Sequence, residues 1–352
     1  MKKFTVVVVG VGAVGVEMIR LLEKRNFPVK ELRIFARRER DIVIDNKTYH
    51  VNSISPDGFE SADIALFAGT EGEKGAAVQF AHEAIKRGCI VIDNGADFRL
   101  KPDVPLVIPE INPESLKNHK GLIANPNCST IQMVVSIYPI YKEYGIERII
   151  VATFQSASGA GRKAEVELLS QSKEILERLE EKNIKIGDKE FLENLFTEKE
   201  KEVFPFQIAF NCFPCIGSFK EFDYTSEEWK MVKETQKILN DNSLKITATC
   251  VRIPVFRSHA EAIYIETKEK FDLERVKELL RNFPGVVLID SLVDIPQPIL
   301  CAQKEPVFVG RVRRDPFNEK GLWLWCVADN LWKGAALNAV QIAELLIKEN
   351  LL

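Results

Sequence analysis

Apolar residues fall into two regimes along the chain. Over the first third, short apolar runs alternate with stretches of helical period. Residues 4–9 are mostly valine, residues 14–25 carry Val16, Met18, Ile19, Leu21 and Leu22 at helical spacing, and residues 32–36 are apolar again. Residues 63–68 and 90–93 repeat the strand pattern, and residues 75–87 supply a helix between them. Unbroken apolar strands joined by helices predict a parallel sheet covered on both faces, a doubly wound α/β unit.

From residue 121 the pattern changes. Residues 121–124 read as a short strand end, Asn125-Pro126-Asn127 as a turn, and residues 129–141 as an apolar helix. Residues 148–154 read as a strand, 161–181 as a long helix, and the charged stretch 181–202 as a solvated excursion. Strands over 247–254, 260–267 and 321–328, with helices over 226–239 and 273–282, predict a separate α+β domain. The Ala- and Leu-rich helix over 333–350 is expected to return to the first domain. The expected division is therefore 1–127, completed by 330–352, and 128–329. A length of 352 residues agrees with two cores.

Two turns carry chemistry. Gly10-Val11-Gly12-Ala13-Val14-Gly15 joins the first strand to the first helix as a G-x-G-x-x-G turn. Glycines there permit a tight turn and let backbone amides approach a pyrophosphate, so a Rossmann-type dinucleotide-binding domain is expected. At the end of the second strand Arg37 and Arg38 stand where an acidic residue would grip a ribose 2′-hydroxyl, which favours a 2′-phosphate. The second turn is Asn127-Cys128-Ser129-Thr130, which puts a thiol where a helix begins. Unpaired amides and the positive helix end are expected to lower its pKa and make it a nucleophile.

A net charge of -3 gives no electrostatic case for nucleic acid or an anionic membrane. No apolar run approaches a membrane span, the valines after Thr5 are too few for a secretion signal, and a cytoplasmic protein is expected. Seven scattered cysteines form no disulfide framework. Cys212 and Cys215 have redox-motif spacing, but no strand-to-helix entry surrounds them and no second pair completes a zinc site, so no metal is expected. Of four histidines, His82 and His119 read as surface residues, whereas His259 sits between two strands with Arg252 and Arg257 just before it. It is the candidate proton carrier, with a satisfied structural histidine as the alternative.

Five motifs in order, spanning nearly the whole chain, together resemble the aspartate-semialdehyde dehydrogenases. They are Asn125-Pro126-Asn127-Cys128-Ser129-Thr130, Gln155 with Ser158-Gly159-Ala160-Gly161, Glu227-Glu228-Trp229-Lys230, Arg252 seven residues before His259, and Asp329-Asn330-Leu331-Trp332-Lys333-Gly334-Ala335-Ala336. N-acetyl-γ-glutamyl-phosphate reductases typically follow their cysteine with Tyr-Pro-Thr, and glyceraldehyde-3-phosphate dehydrogenases carry Ser-Cys-Thr-Thr. The resemblance implies NADPH-dependent reduction of L-aspartyl 4-phosphate to the 4-semialdehyde through a Cys128 thioester. It implies His259 as acid or base, Gln155 orienting the substrate, and Asn127 with helix-start amides stabilising the oxyanion. Arg252 would fork onto the α-carboxylate and Glu227 accept the α-ammonium, while Arg99 and Lys230 hold the phosphate and Ser158 completes the substrate site. Gly10, Gly12, Ala13, Val14, Gly15, Arg37, Arg38, Gly69, Thr70, Gly159 and Asn330 would hold the coenzyme. A homodimer or homotetramer through the second domain is also implied.

The chain departs from the family in a glycine-rich loop one residue shorter than Gly-Ala-Thr-Gly-x-x-Gly. Its Ala36-Arg37-Arg38-Glu39-Arg40 also replaces the usual Ala-Ser-x-Arg-Ser. NADP is therefore the expected coenzyme with NAD use left open. Another acyl-phosphate or acyl-CoA reductase of the same fold and a non-catalytic paralogue are the alternatives.

Overall fold

The structure, a computed structural model, describes residues 2–69, 72–196 and 202–352. Seven strands form the first sheet: β1 (Phe4–Val9), β2 (Val29–Ala36), β3 (Arg40–Ile44), β4 (Lys47–Ser53), β5 (Ile64–Phe67), β6 (Ile90–Asp93) and β7 (Leu122–Ala124), in the order β3-β4-β2-β1-β5-β6-β7. All pairs are parallel except β3 with β4. Every residue of β1 is buried, which is why its sequence shows no polar alternation. Helices α1 (Ala13–Lys24) and α2 (Ala76–Lys86) cross over between strands. The β3–β4 hairpin was not expected from the sequence. It turns at Asp45 and Asn46, both at positive φ (49° and 65°), a conformation that Asn and Asp tolerate.

Six strands form a second, mixed sheet: β8 (Ile146–Gln155), β9 (Lys245–Arg252), β10 (His259–Thr267), β11 (Val286–Ile289), β12 (Val307–Arg314) and β13 (Gly321–Ala328), in the order β11-β12-β13-β10-β8-β9. Helices α3 (Cys128–Tyr144), α4 (Arg162–Glu181), α5 (Ser226–Leu239), α6 (Leu273–Asn282) and the short α7 (Pro298–Cys301) belong to this part of the chain. Of these, α3 packs on β8, β10, β12 and β13, and α5 on β9. Ile263 and Ile265 of β10 share a core with Ile131 and Val134 of α3, whereas Ala260 packs with Cys301 and Val327. Strand alternation then puts His259 and Glu261 on the α3 side. The register pairs Gln155 with Arg252 and His259 with Ala328, so the candidate residues of three strands meet at one end of the sheet.

The chain leaves β13 into a π-helical turn, Trp332–Ala336, and then α8 (Leu337–Lys348). Trp332, Ala336, Val340 and Ala343 join the core formed by Val6, Val8, Met18 and Ile19, so the last helix does return to the first sheet.

Candidate active site

A cleft of about 680 Å³ runs from the glycine-rich turn, past Gly69, to the start of α3, and Cys128 lines it. Asn127 caps α3: its Oδ1 accepts from Ser129 N (3.0 Å) and Thr130 N (3.2 Å), and its Nδ2 donates to Glu227 Oε1 (2.8 Å). The cap therefore occupies first-turn amides that were expected to face the sulfur. Contrary to the expected lowered pKa, burial and the Glu227 carboxylate push the Cys128 thiol up to about 12, against the smaller opposing pull of Arg99, Arg252 and the Ser129 amide. On the other side stands Gly334 of the π-helical turn, where a Cβ would lie 2.7 Å from Cys128 Cβ. Only glycine fits against the cysteine there.

Four charged side chains surround the same end of the cleft. Lys230 Nζ lies 3.5 Å from Glu227 Oε2, as their spacing on one helical turn predicts, and Gln155 Nε2 lies 3.5 Å from Glu227 Oε1. Burial alone would raise the Glu227 carboxyl, but Lys230, the Asn127 amide, Arg252 and Arg99 outweigh it and hold it below its ordinary value. Glu227 thus stays an anion suited to an ammonium group. Arg252 Nη1 donates to Ser156 O (2.5 Å), and its guanidinium lies over the Phe204 ring. Arg99 pairs with Glu234 (3.0 Å) and donates to Asn94 O (2.7 Å). The sequence reading missed Glu234, which also accepts from Asn127 N (2.6 Å). Its place four residues after Lys230, on the face of α5 that carries Glu227, was the available signal.

His259 is fully buried, and its Nδ1 accepts from Ser156 N (3.0 Å). With Nδ1 filled by that donor, the neutral ring carries its hydrogen on Nε2. Gly159 lines the cleft in front of it, and a Cβ at Gly159 would lie 3.1 Å from Nε2 and 3.2 Å from Arg252 Nη1. Burial, reinforced by Arg252, pulls the His259 pKa from 6.5 down to about 3. The ring is therefore neutral when folded and takes up a proton more readily when unfolded. Its contribution is present above pH 6.5 and is lost as pH falls from there toward 3. Denaturant melts of wild type and His259→Gln at pH 7.5 and 5 should show the stability gap narrowing on acidification by about 2 kcal/mol. A constant gap would mean that the ring titrates equally in both states.

The other end of the cleft fits a dinucleotide. Gly10 has φ +98°, and a Cβ at Gly15 would fall 1.8 Å from Gly10 O, so strand and helix meet as closely as a G-x-G-x-x-G turn requires. A Cβ at Gly12 would meet nothing within 4 Å, no side chain caps α1, and its first turn holds no acidic residue. That leaves the helix start open to a phosphate. Ala13 and Val14 line the cleft beside it. Arg37 and Arg40 line the cleft, whereas Arg38 does not. Ser158 and Asn330 also line it and share a hydrogen bond (3.0 Å). Thr70 lies outside the described residues.

Comparisons with known proteins match the same two parts. Residues 5–119 match the family model for the semialdehyde dehydrogenase NAD binding domain, and residues 137–333 that for the semialdehyde dehydrogenase dimerisation domain. The chain is 46% identical to the aspartate-semialdehyde dehydrogenase of Aquifex aeolicus, covering 99% of each, and 44% identical to that of Bacillus subtilis, covering 98% of each. Among solved structures, aspartate semialdehyde dehydrogenase II of Vibrio cholerae, complexed with ASA, matches with a TM-score of 0.89 at 43% identity over 99% of both chains.

Proposed function

The chain belongs to the aspartate-semialdehyde dehydrogenase family, and from that premise we propose how its cleft divides the work of reducing L-aspartyl 4-phosphate to L-aspartate 4-semialdehyde, a step in lysine, threonine and methionine biosynthesis. The observation that carries this reading is Cys128 at the start of α3 with Glu227, Lys230, Arg252 and Arg99 around it, in one cleft with the glycine-rich turn. An aspartyl phosphate brings a carboxylate, an ammonium and a phosphate, each needing a partner once its water is stripped. Arg252 takes the carboxylate, Glu227 the ammonium, and Lys230 with Arg99 the phosphate, while Gln155 and Ser158 orient the chain between them.

The resting pair is a thiol and a neutral imidazole. Cys128 sulfur attacks the acyl carbon, the acyl–oxygen bond to phosphate breaks, and the thiol hydrogen ends on the departing hydrogen phosphate. The cap engages the Ser129 and Thr130 amides, so the charge on the acyl oxygen falls to Asn127, whose Nδ2 has a second hydrogen beyond the one given to Glu227. Residues 10–15 with Arg37, Gly69, Gly159 and Asn330 hold the nicotinamide dinucleotide, which when bound supplies the hydride that takes the thioester to the aldehyde level. Release of aldehyde leaves a Cys128 thiolate, which takes up a proton drawn from solvent, and His259, with its hydrogen at Nε2, is the group that relays it and is reprotonated in the same exchange.

Assay of the purified protein with semialdehyde, phosphate and each coenzyme tests the whole reading. Turnover with N-acetylglutamate semialdehyde or a CoA thioester in place of those substrates, or none at all, overturns it.

The coenzyme is NADP in this reading. Arg37 and Arg40 are the cations beside the ribose end, and Arg37 Nη2 donates to Lys74 O (2.9 Å), which steadies it there. Replacing both by alanine should weaken NADPH relative to NADH by about 1–3 kcal/mol, read from dissociation constants. Equal losses for the two coenzymes would make them only a solvated edge. Residues 1–127 with 330–352 serve as the dinucleotide-binding domain and 128–329 as the catalytic and dimerisation domain, consistent with the two sheets and family models. The second domain joins copies as a homodimer or homotetramer. Among the described residues no helix is long and apolar enough to cross a membrane; work in the cytoplasm belongs to the same reading.

A further inference from the structure

Three successive residues ahead of and including the candidate proton carrier are each pinned by a different part of the molecule. Arg257 donates from Nε to Asp329 Oδ2 (2.7 Å) and from Nη1 to Glu17 Oε1 (2.9 Å). Ser258, at φ +72°, donates its N–H to Asn330 Oδ1 (2.9 Å), and His259 accepts from Ser156 N. A non-glycine residue at that φ is costly and persists where its surroundings over-determine it.

The Arg257 pin is the one that reaches the other sheet. Glu17 lies on α1, in the first turns after the glycine-rich loop, and its second oxygen accepts from Trp332 Nε1 (2.7 Å) at the head of the π-helical turn. Asp329 accepts in turn from the Leu331 and Trp332 amides. The side chains of Glu17 and Asp329 are 4% and 0% exposed, so Arg257 is held between two buried carboxylates, and losing either leaves it gripped from one side only. Nothing in the chemistry proposed above uses Glu17 or Arg257.

We propose that Glu17 is a positioning residue for His259: acting through Arg257, it fixes the turn that aims the imidazole. The inference rests on the role given to His259 above. Glu17→Gln keeps the size but meets the Arg257 and Trp332 donors, and that of Arg20 Nη1 (3.1 Å), with only one acceptor oxygen. It should lower kcat by about tenfold, the scale of a small misplacement of a reacting group. KM for semialdehyde and phosphate, and NADP+ affinity by fluorescence titration, should stay within twofold.

The deciding measurement is Glu17→Gln in a His259→Ala background, where a residue that acts only through His259 should cost nothing further. A further tenfold loss in that background, or an unchanged kcat for Glu17→Gln alone, overturns the proposal. If Glu17→Gln does not fold, Arg257→Lys, which keeps the charge but loses the two-armed grip, replaces it in both measurements with the same expected outcomes. If His259→Ala itself retains wild-type turnover, the role of His259 fails, whereas loss in His259→Ala without loss in Glu17→Gln defeats only the positioning role.

Discussion

Cys128→Ser should abolish turnover, with a loss of roughly four orders of magnitude or more, while NADP+ affinity stays within a few-fold. Serine keeps the Cβ that packs on Gly334, so the start of α3 is undisturbed. What is lost is sulfur: the nucleophile is the thiolate, formed as the thiol proton passes to the departing phosphate, and a hydroxyl in its place has neither comparable acidity nor comparable reactivity. The affinity is spared because the sulfur meets the acyl group rather than the dinucleotide. Mixing enzyme with semialdehyde and NADP+ without phosphate, then quenching in denaturant, should leave an aspartyl adduct on Cys128 by mass spectrometry. Cys212, which is exposed, is the internal control. An adduct there instead, or a serine variant that turns over at more than a trace, rules out the covalent route.

His259→Ala should depress kcat by about two to four orders of magnitude with a smaller effect on KM, the span for a missing acid–base group. The structure adds a constraint on how the remaining activity responds to pH. Because burial and Arg252 hold the ring neutral down to about pH 3, its protonation should place no acid limb near pH 6.5 in the kcat profile of wild type. Arg252→Lys should separate the two roles by raising KM, since a point charge replaces a planar fork. A His259 variant that lost only binding, or a lysine variant that behaved as wild type, would exchange or erase these assignments.

Much of this site was legible before any coordinates. The strand, glycine-rich turn and α1 follow one another within two dozen residues, and the Asn125-Pro126-Asn127 turn marks where α3 begins. Glu227 and Lys230 meet because a helix brings every third residue back to one face. What escaped depended on residues far apart in sequence. Glu234 pairs with Arg99 across the two parts of the chain, and although its helix face marks it as a neighbour of Glu227, nothing local to α5 names Arg99 as its partner. Arg40 joins Arg37 on the cleft only because a hairpin follows β2, and its strands carry too many exposed polar residues to read as sheet. Strands β11 and β12 were missed for a related reason: one is four residues long, and the other ends in exposed arginines. The raised thiol was mispredicted because the helix-end field was weighed without the burial that opposes it.

The return of α8 to the first sheet has a bearing on how the protein is made. Val6, Val8, Ile64 and Leu66 are covered by a layer that includes Val340, Ile342 and Leu346. On a ribosome these strands emerge long before that helix exists, and the whole of the second sheet is synthesised in the interval. The nascent N-terminal half must therefore wait with this face covered by α1 but not by α8, and closing so distant a contact is slow. Until α8 arrives, the chain shows apolar surface that the finished enzyme hides, and such transient exposure favours aggregation.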